Sequence, residues 1–160
     1  MNLKTQDPKE NFYATLLKQA QALISEERNK IANLANISAL LSERLENLNW
    51  AGFYLSEPDG SLVLGPFQGK PACVRIPLGK GVCGTAALSR KSQLVPDVHQ
   101  FPGHIACDSA TNSELVVPLL KGREVMAVMD LDSAKFGRFD SADAFYLEKL
   151  AEIIINRSDF

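Results

Sequence analysis

The sequence predicts an α+β fold: a mostly antiparallel sheet flanked by helices from both termini. Three observations carry this. Apolar residues recur at helical spacing up to Leu48, short β-branched and aromatic runs bounded by turn residues follow, and a single amphipathic stripe closes the chain. From about Lys9, the residues Phe12, Leu16, Ala20, Leu23 and Ile24 define a first helix, and Ile31, Leu34, Ile37, Leu41, Leu45 and Leu48 define a second. The polar SEERNK at 25–30 is read as the break between them. After Asn49 the period shortens. Trp50, Phe53 and Leu55 lie in an aromatic run that ends at Pro58-Asp59-Gly60, and 62–67 returns as its partner strand. Residues 73–78 read as another strand, 79–84 lead into a short helical piece at 85–89, and 93–95 form a brief strand. Residues 96–111 have no period, and a long irregular stretch in a compact domain is commonly a binding loop. The apolar runs 114–121 and 124–132, joined at Gly122-Arg123, predict a hairpin. Asp140 or Ser141 starts a last helix whose stripe of Tyr146, Leu147, Leu150, Ala151, Ile153 and Ile154 is suited to cover one face of the sheet. With no repeat or linker, 1–160 reads as a single domain.

A chain of 160 residues buries about 69% of its unfolded surface, enough for one real core. Hydrophobic residues at 46% and charged residues at 22% argue against disorder, and the longest apolar run, 115–120, is far too short to span a bilayer. Lys and Arg number 17 against 19 Asp and Glu, so the net charge of −2 offers nothing to a polyanion. The expected partners are therefore a small molecule or a protein, with no nucleic acid and no membrane. The start, MNLKTQDPKE, lacks the apolar region of a secretory signal, which predicts a cytoplasmic, reducing setting.

Three cysteines, Cys73, Cys83 and Cys107, all fall in the central stretch. Taken one at a time, each suits the role of a small buried hydrophobe. Together with His104 they could ligate zinc, although their spacing contains no paired C-x-x-C knuckle. They could also run a redox cycle in which one thiolate attacks and a second resolves the product as a disulfide. The residues alone do not choose the attacker. Cys83 sits at a helix start, which favours a thiolate, whereas Cys107 lies in the irregular loop beside His104, with Asp108 opposing its ionisation.

Gly79-Lys80-Gly81-Val82-Cys83-Gly84 matches G-x-G-x-x-G but lacks the strand, long helix and downstream acidic residue of a dinucleotide site, so it reads as a tight turn whose N–H groups could hold a carboxylate. Asp130 and Asp132 end an otherwise apolar strand, and its period of two sends both carboxylates to one face. If that face is the inner one, they and Glu114 need partners or become protonated, a setting that suits an incoming ammonium group or a proton donor. Trp50, the only tryptophan, reads either as core or as a pocket wall for a methyl group. His99 and His104 read equally well as plain loop histidines.

Gly81-Val82-Cys83-Gly84, His104-Ile105-Ala106-Cys107-Asp108, Ser113-Glu114-Leu115-Val116-Val117-Pro118 and Met129-Asp130-Leu131-Asp132-Ser133, with Asn49-Trp50-Ala51-Gly52-Phe53-Tyr54, together resemble the free methionine-(R)-sulfoxide reductases, which are GAF-domain proteins. The resemblance runs from Phe12 to the final helix, and the cysteine trio with I-A-C-D is its most specific part. It implies a GAF-like fold and reduction of free L-methionine (R)-S-oxide to methionine. Cys107 is implied as the nucleophile, with Cys73 and Cys83 as resolving or auxiliary thiols. Glu114, Asp130 and Asp132 are implied as acidic pocket residues, and Trp50 as the contact of the substrate methyl. Thioredoxin is implied as reductant, with no bound cofactor or metal, and pairing into a homodimer through the N-terminal helices is implied as well. The 98–111 loop is expected to gate the site. The alternative reading is a non-enzymatic GAF sensor of a ligand or of redox state.

Overall fold

The computed structural model describes residues 7–160, so the polar MNLKTQ start lies outside the described residues. Helix α1 (Pro8–Leu23) opens with proline in its first turn and the Asp7 carboxylate accepting from the Lys9 N–H at 2.9 Å. Helix α2 (Lys30–Arg44) opens on Asn29, whose side chain accepts from the Ala32 N–H. The expected break therefore lies between them. Six strands follow, β1 (Trp50–Ser56), β2 (Leu62–Gly69), β3 (Arg75–Ile76), β4 (Gln93–Val95), β5 (Ser113–Lys121) and β6 (Glu124–Ser133), with α3 (Gly81–Ser89) between β3 and β4 and α4 (Ser141–Arg157) at the end. They form one antiparallel sheet in the order β3-β2-β1-β6-β5-β4, the expected α+β arrangement.

The central strands are apolar on both faces because each face is covered. Ala51, Phe53, Leu115, Val117, Leu119, Ala127, Met129 and Leu131 meet α1, α2 and α4. The alternate residues Trp50, Tyr54, Val116 and Val128 meet Val82, Cys83, Ala86 and Ala87 of α3. Three elements differ from expectation, the first being α2, which ends at Arg44 with Leu45 extended at its C-cap, so that Leu48 lies beyond the helix. Strand β3 pairs only at Arg75 and Ile76: the Leu64 N–H of β2 still reaches the Val74 carbonyl, but the Cys73 carbonyl is taken by the Tyr54 hydroxyl, and Pro77 has no N–H to donate. Helix α3 starts at Gly81 rather than Thr85. Gly79 and Gly81 take φ of +79° and +63° for the turn, and a Cβ on Gly84 would stand 2.6 Å from the Pro77 carbonyl oxygen. The glycines thus serve the turn and the packing of α3, which accounts for G-x-G-x-x-G without a dinucleotide.

Asp143 ties the two ends of the chain together. It is buried on α4, reaches back to the Asp140 N–H to complete a capping box, and accepts from Lys9 Nζ at 2.9 Å and from the Tyr13 hydroxyl on α1. Asp143→Ala strands the Tyr13 hydroxyl in the core and removes the cap. It is expected to cost about 2–4 kcal/mol in urea unfolding, whereas a loss under about 1 kcal/mol would mean that α1 is held by apolar contacts alone.

Candidate active site

Strand register builds the site. Trp50 of β1 stands opposite Asp132 of β6, Asp132 opposite Glu114 of β5, and Glu114 opposite Val95 of β4. Two residues along, Gly52 stands opposite Asp130, and Asp130 opposite Val116. Directly opposed residues lie about 4.5–5.5 Å apart at Cβ, so an indole and three carboxylates share one face. α3 lies over that face, with Cys83 projecting from its first turn, and the irregular segment before β5 supplies His104, Cys107 and Thr111. These residues and Tyr54 line one cavity.

The carboxylates are crowded, with Glu114 and Asp130 buried and Asp132 half-buried. Burial pushes Glu114 well above the usual carboxyl range, and the charges of Asp130 and Asp132 push it further. Burial raises Asp130, while hydrogen bonds from Glu114 and Cys83 oppose the rise. Asp132 is raised well by burial and by Asp130 and Asp108, with Thr111 opposing. Asp130 Oδ1 is buried with no hydrogen-bond partner. Glu114 Oε2 lies 3.7 Å from His104 Nε2, and burial together with His99 lowers the His104 pKa, so at neutral pH this contact is not an ion pair. Among the described residues, no Lys or Arg pairs with any of the three carboxylates.

The cysteines separate into two kinds. Cys83 is buried with Sγ 3.9 Å from Glu114 Oε1, and burial, then Asp130, Glu114 and Asp132, raise its pKa well above the thiol range. The helix start read from the sequence as activating is outweighed by these effects. Cys73 and Cys107, 34 residues apart, are joined by a disulfide with their Cα atoms 5.6 Å apart, and Cys107 is exposed. The sequence left open which of Cys73 and Cys83 would pair with Cys107, and in the structure it is Cys73. The same bond takes two thiols out of the Cys3His zinc set, which is not assembled.

Both cysteine segments are tethered to the sheet. Trp50 Nε1 donates to the Lys70 carbonyl at 3.1 Å and the Tyr54 hydroxyl to the Cys73 carbonyl at 3.0 Å, so two side chains of β1 clasp the segment carrying Cys73. The Trp50 indole lies near-parallel to the rings of Phe67, at 5.1 Å, and Tyr54, at 5.9 Å. On the other side Asn49 Nδ2 donates to Asp108 Oδ2 and Thr111 Oγ1, bracing the turn after Cys107.

All seven site residues read from the sequence meet here. Trp50, Cys83, Cys107, Glu114, Asp130 and Asp132 line the cavity, and Cys73 sits at its rim through the bond to Cys107. Sequence reasoning passed over Tyr54, Asn49 and Thr111 and left His104 undecided. Tyr54 carried a usable signal, since it lies four residues after Trp50 on one strand and therefore on the same face. His99 stays outside, exposed and held by Asp97 at 2.8 Å.

The sequence pattern of the GAF domain family matches residues 32–155. The chain is 56% identical over 142 residues to the free methionine-R-sulfoxide reductase of Escherichia coli, covering 89% of this chain and 86% of that one. It superimposes on the reduced form of fRMsr of Staphylococcus aureus with a TM-score of 0.88, at 52% identity, covering 91% of this chain and 94% of the other. It also superimposes on the free methionine-R-sulfoxide reductase of Neisseria meningitidis in complex with its substrate, with a TM-score of 0.90 at 41% identity, covering 98% and 93%. No helix among the described residues is long and apolar enough to cross a membrane.

Proposed function

The chain belongs to the free methionine-R-sulfoxide reductase family of GAF-domain proteins, and from that premise we propose that it reduces free L-methionine (R)-S-oxide to methionine through Cys107. The observation that carries this reading is the juxtaposition, in one cavity, of an exposed redox cysteine with two buried carboxylates, Glu114 and Asp130, and the half-buried Asp132, which no Lys or Arg among the described residues neutralises. The Cys107 thiolate attacks the sulfoxide sulfur. The oxygen takes a proton from the acidic cluster and passes to Cys107, leaving methionine and a sulfenic acid. The Cys73 thiol then displaces hydroxide, which leaves as water, and forms the disulfide with Cys107. Thioredoxin returns two electrons and two protons, so the net change is sulfoxide plus dithiol to thioether, disulfide and water.

The carboxylates have two roles in this scheme. Held neutral by burial and by one another, they supply the proton, and in their charged form they receive the substrate ammonium. That ammonium offsets pocket charge next to Cys107, so the thiolate is favoured mainly in the complex. The open N–H groups at the start of α3 suit the substrate carboxylate, the face of Trp50 suits its methyl, and the 98–111 loop closes over it. Cys83, buried at the floor, is the auxiliary thiol. The enzyme works as a single cytoplasmic domain, paired through its N-terminal helices, with no bound cofactor or metal in its reaction.

A coupled thioredoxin and NADPH assay tests the reading with the R epimer, the S epimer and a peptide sulfoxide. The peptide has lost the charged amine, which costs about 1.5–3 kcal/mol, or about 10- to 150-fold in kcat/KM. Turnover of the free R epimer is expected, with none of the S epimer and the peptide lower by that factor, whereas no turnover of any sulfoxide by folded, reduced protein would leave the sensor reading in its place.

Tyr54 is a positioning residue in this scheme, because its hydroxyl holds the Cys73 carbonyl. Tyr54→Phe keeps the ring and its stacking. Methionine released in a single turnover is expected to stay within about twofold of wild type, while disulfide closure slows by about tenfold and dimedone-trapped Cys107 sulfenic acid accumulates. An unchanged closure rate would show that the clasp is not needed to bring Cys73 into place.

A further inference from the structure

Cys83 takes no part in the bond between Cys73 and Cys107, yet it is the sulfur placed among the carboxylates. One donor atom each from Cys83, Glu114 and Asp130 lies within 4.8 Å of the others, with Cys83 Sγ 3.9 Å from Glu114 Oε1. His104 Nε2 stands 3.7 Å from Glu114 Oε2 on the open side of this cluster. Ligands at about 2.0–2.3 Å around a tetrahedral ion are separated by about 3.3–3.8 Å, so Cys83, Glu114 and Asp130 stand close to ligand spacing, with His104 beside Glu114. A separate observation points into the same cluster. Asp130, 6% exposed, has its Oδ1 buried with no hydrogen-bond partner.

We propose that Cys83, Glu114 and Asp130, with His104 as fourth ligand, form a site for a zinc-class divalent ion, and that an ion there keeps the substrate's ammonium group out of the cavity. The second half rests on the substrate reading above, and the first does not. The donor set decides the class of ion. One sulfur, one imidazole nitrogen and two carboxylate oxygens suit zinc, whereas magnesium and calcium take oxygen shells. Cys83, Glu114 and Asp130 also stand together while Cys73 and Cys107 are bonded to each other, so their cluster is present in the oxidised protein and owes nothing to the redox pair. Zinc at this position would act as an inhibitor reading the same negative charge that selects the amine.

The test uses the oxidised wild-type chain, titrated with Zn2+ against a chromophoric chelator, and Co2+ as an optical probe. One Zn2+ per chain is expected, together with thiolate-to-cobalt charge-transfer absorption in the near ultraviolet. The Cys73→Ser/Cys107→Ser double variant should bind as wild type does. Cys83→Ser should lose the charge-transfer band and weaken Zn2+ by about 100-fold, and the isosteric Asp130→Asn by about tenfold, with a thermal melt confirming that each variant is folded. No stoichiometric binding by oxidised wild type, binding undiminished in folded Cys83→Ser, or binding lost in the double variant would overturn the site. Free methionine sulfoxide should weaken Zn2+, and stoichiometric binding that it leaves unmoved would overturn the exclusion. Zinc binding without turnover of any sulfoxide would count against the substrate reading, and turnover without zinc binding against this inference alone.

Discussion

Cys107→Ser loses sulfoxide reduction by about 10⁴-fold or more, with the reduced fold unchanged in stability to within about 1 kcal/mol. The first expectation follows from the chemistry. A serine hydroxyl at neutral pH is neither ionised nor nucleophilic enough to attack sulfur, and Cys83 cannot take over, because burial and the neighbouring carboxylates hold it as a thiol. The second follows from exposure, since Cys107 gives up little packing when changed. Single-turnover release of methionine from pre-reduced enzyme is the measurement that checks it. Cys73→Ser is the contrasting variant, expected to release methionine once and then stall as the sulfenic acid. If Cys107→Ser kept about a tenth of wild-type turnover and Cys83→Ser lost it, the nucleophile would be Cys83.

Glu114→Gln moves activity and stability in opposite directions. The amide cannot donate an acidic proton or meet an ammonium with charge, and kcat/KM for the free R epimer is expected to fall by about 10²–10³-fold. Stability should rise. Because burial and the neighbouring carboxylates raise the folded-state pKa of Glu114, the native state holds its proton at pH values where the unfolded chain has released it. The stability tied to that proton is fully present below the unfolded carboxyl range and is lost as pH rises through the raised native value. Glutamine has no proton to lose. The variant should therefore melt near wild type at about pH 4 and about 2–4 °C above it at about pH 8, for each ~1 kcal/mol relieved. A variant that melted lower at the higher pH would mean that the glutamate is ionised and well paired in the native state.

Most of the fold was legible because the local signals agree with the tertiary arrangement. The polar break at 25–30, the cap at Asp140 and the turn at Gly122-Arg123 mark boundaries that the structure keeps. Where reading failed, tertiary contacts had overridden local chemistry. Gly84 looks like a helix breaker, but it lies inside α3 because a neighbouring carbonyl needs the space of a side chain. Cys73 looks like strand, but its carbonyl is claimed by the Tyr54 side chain and not by a neighbouring strand. In the site, the period of two placed Asp130 and Asp132 together, and only the register of β5 against β6 brings Glu114 to them. The pairing of Cys107 depends on which segments cross in space, and spacing along the chain carries no such information.

The recognition surface and the sulfur chemistry are built from backbone of different kinds. Trp50, Glu114, Asp130 and Asp132 stand on β1, β5 and β6, whose amides are locked into the middle of the sheet and open only when the whole protein opens. Cys73 and Cys107 stand on irregular segments whose few hydrogen bonds can break one at a time. On the proposed reading, what recognises the substrate is thus as durable as the fold itself, whereas what reacts with it is only as durable as two loops. A substitution in those loops can retune the pace of the cycle while selectivity stays where the sheet has set it.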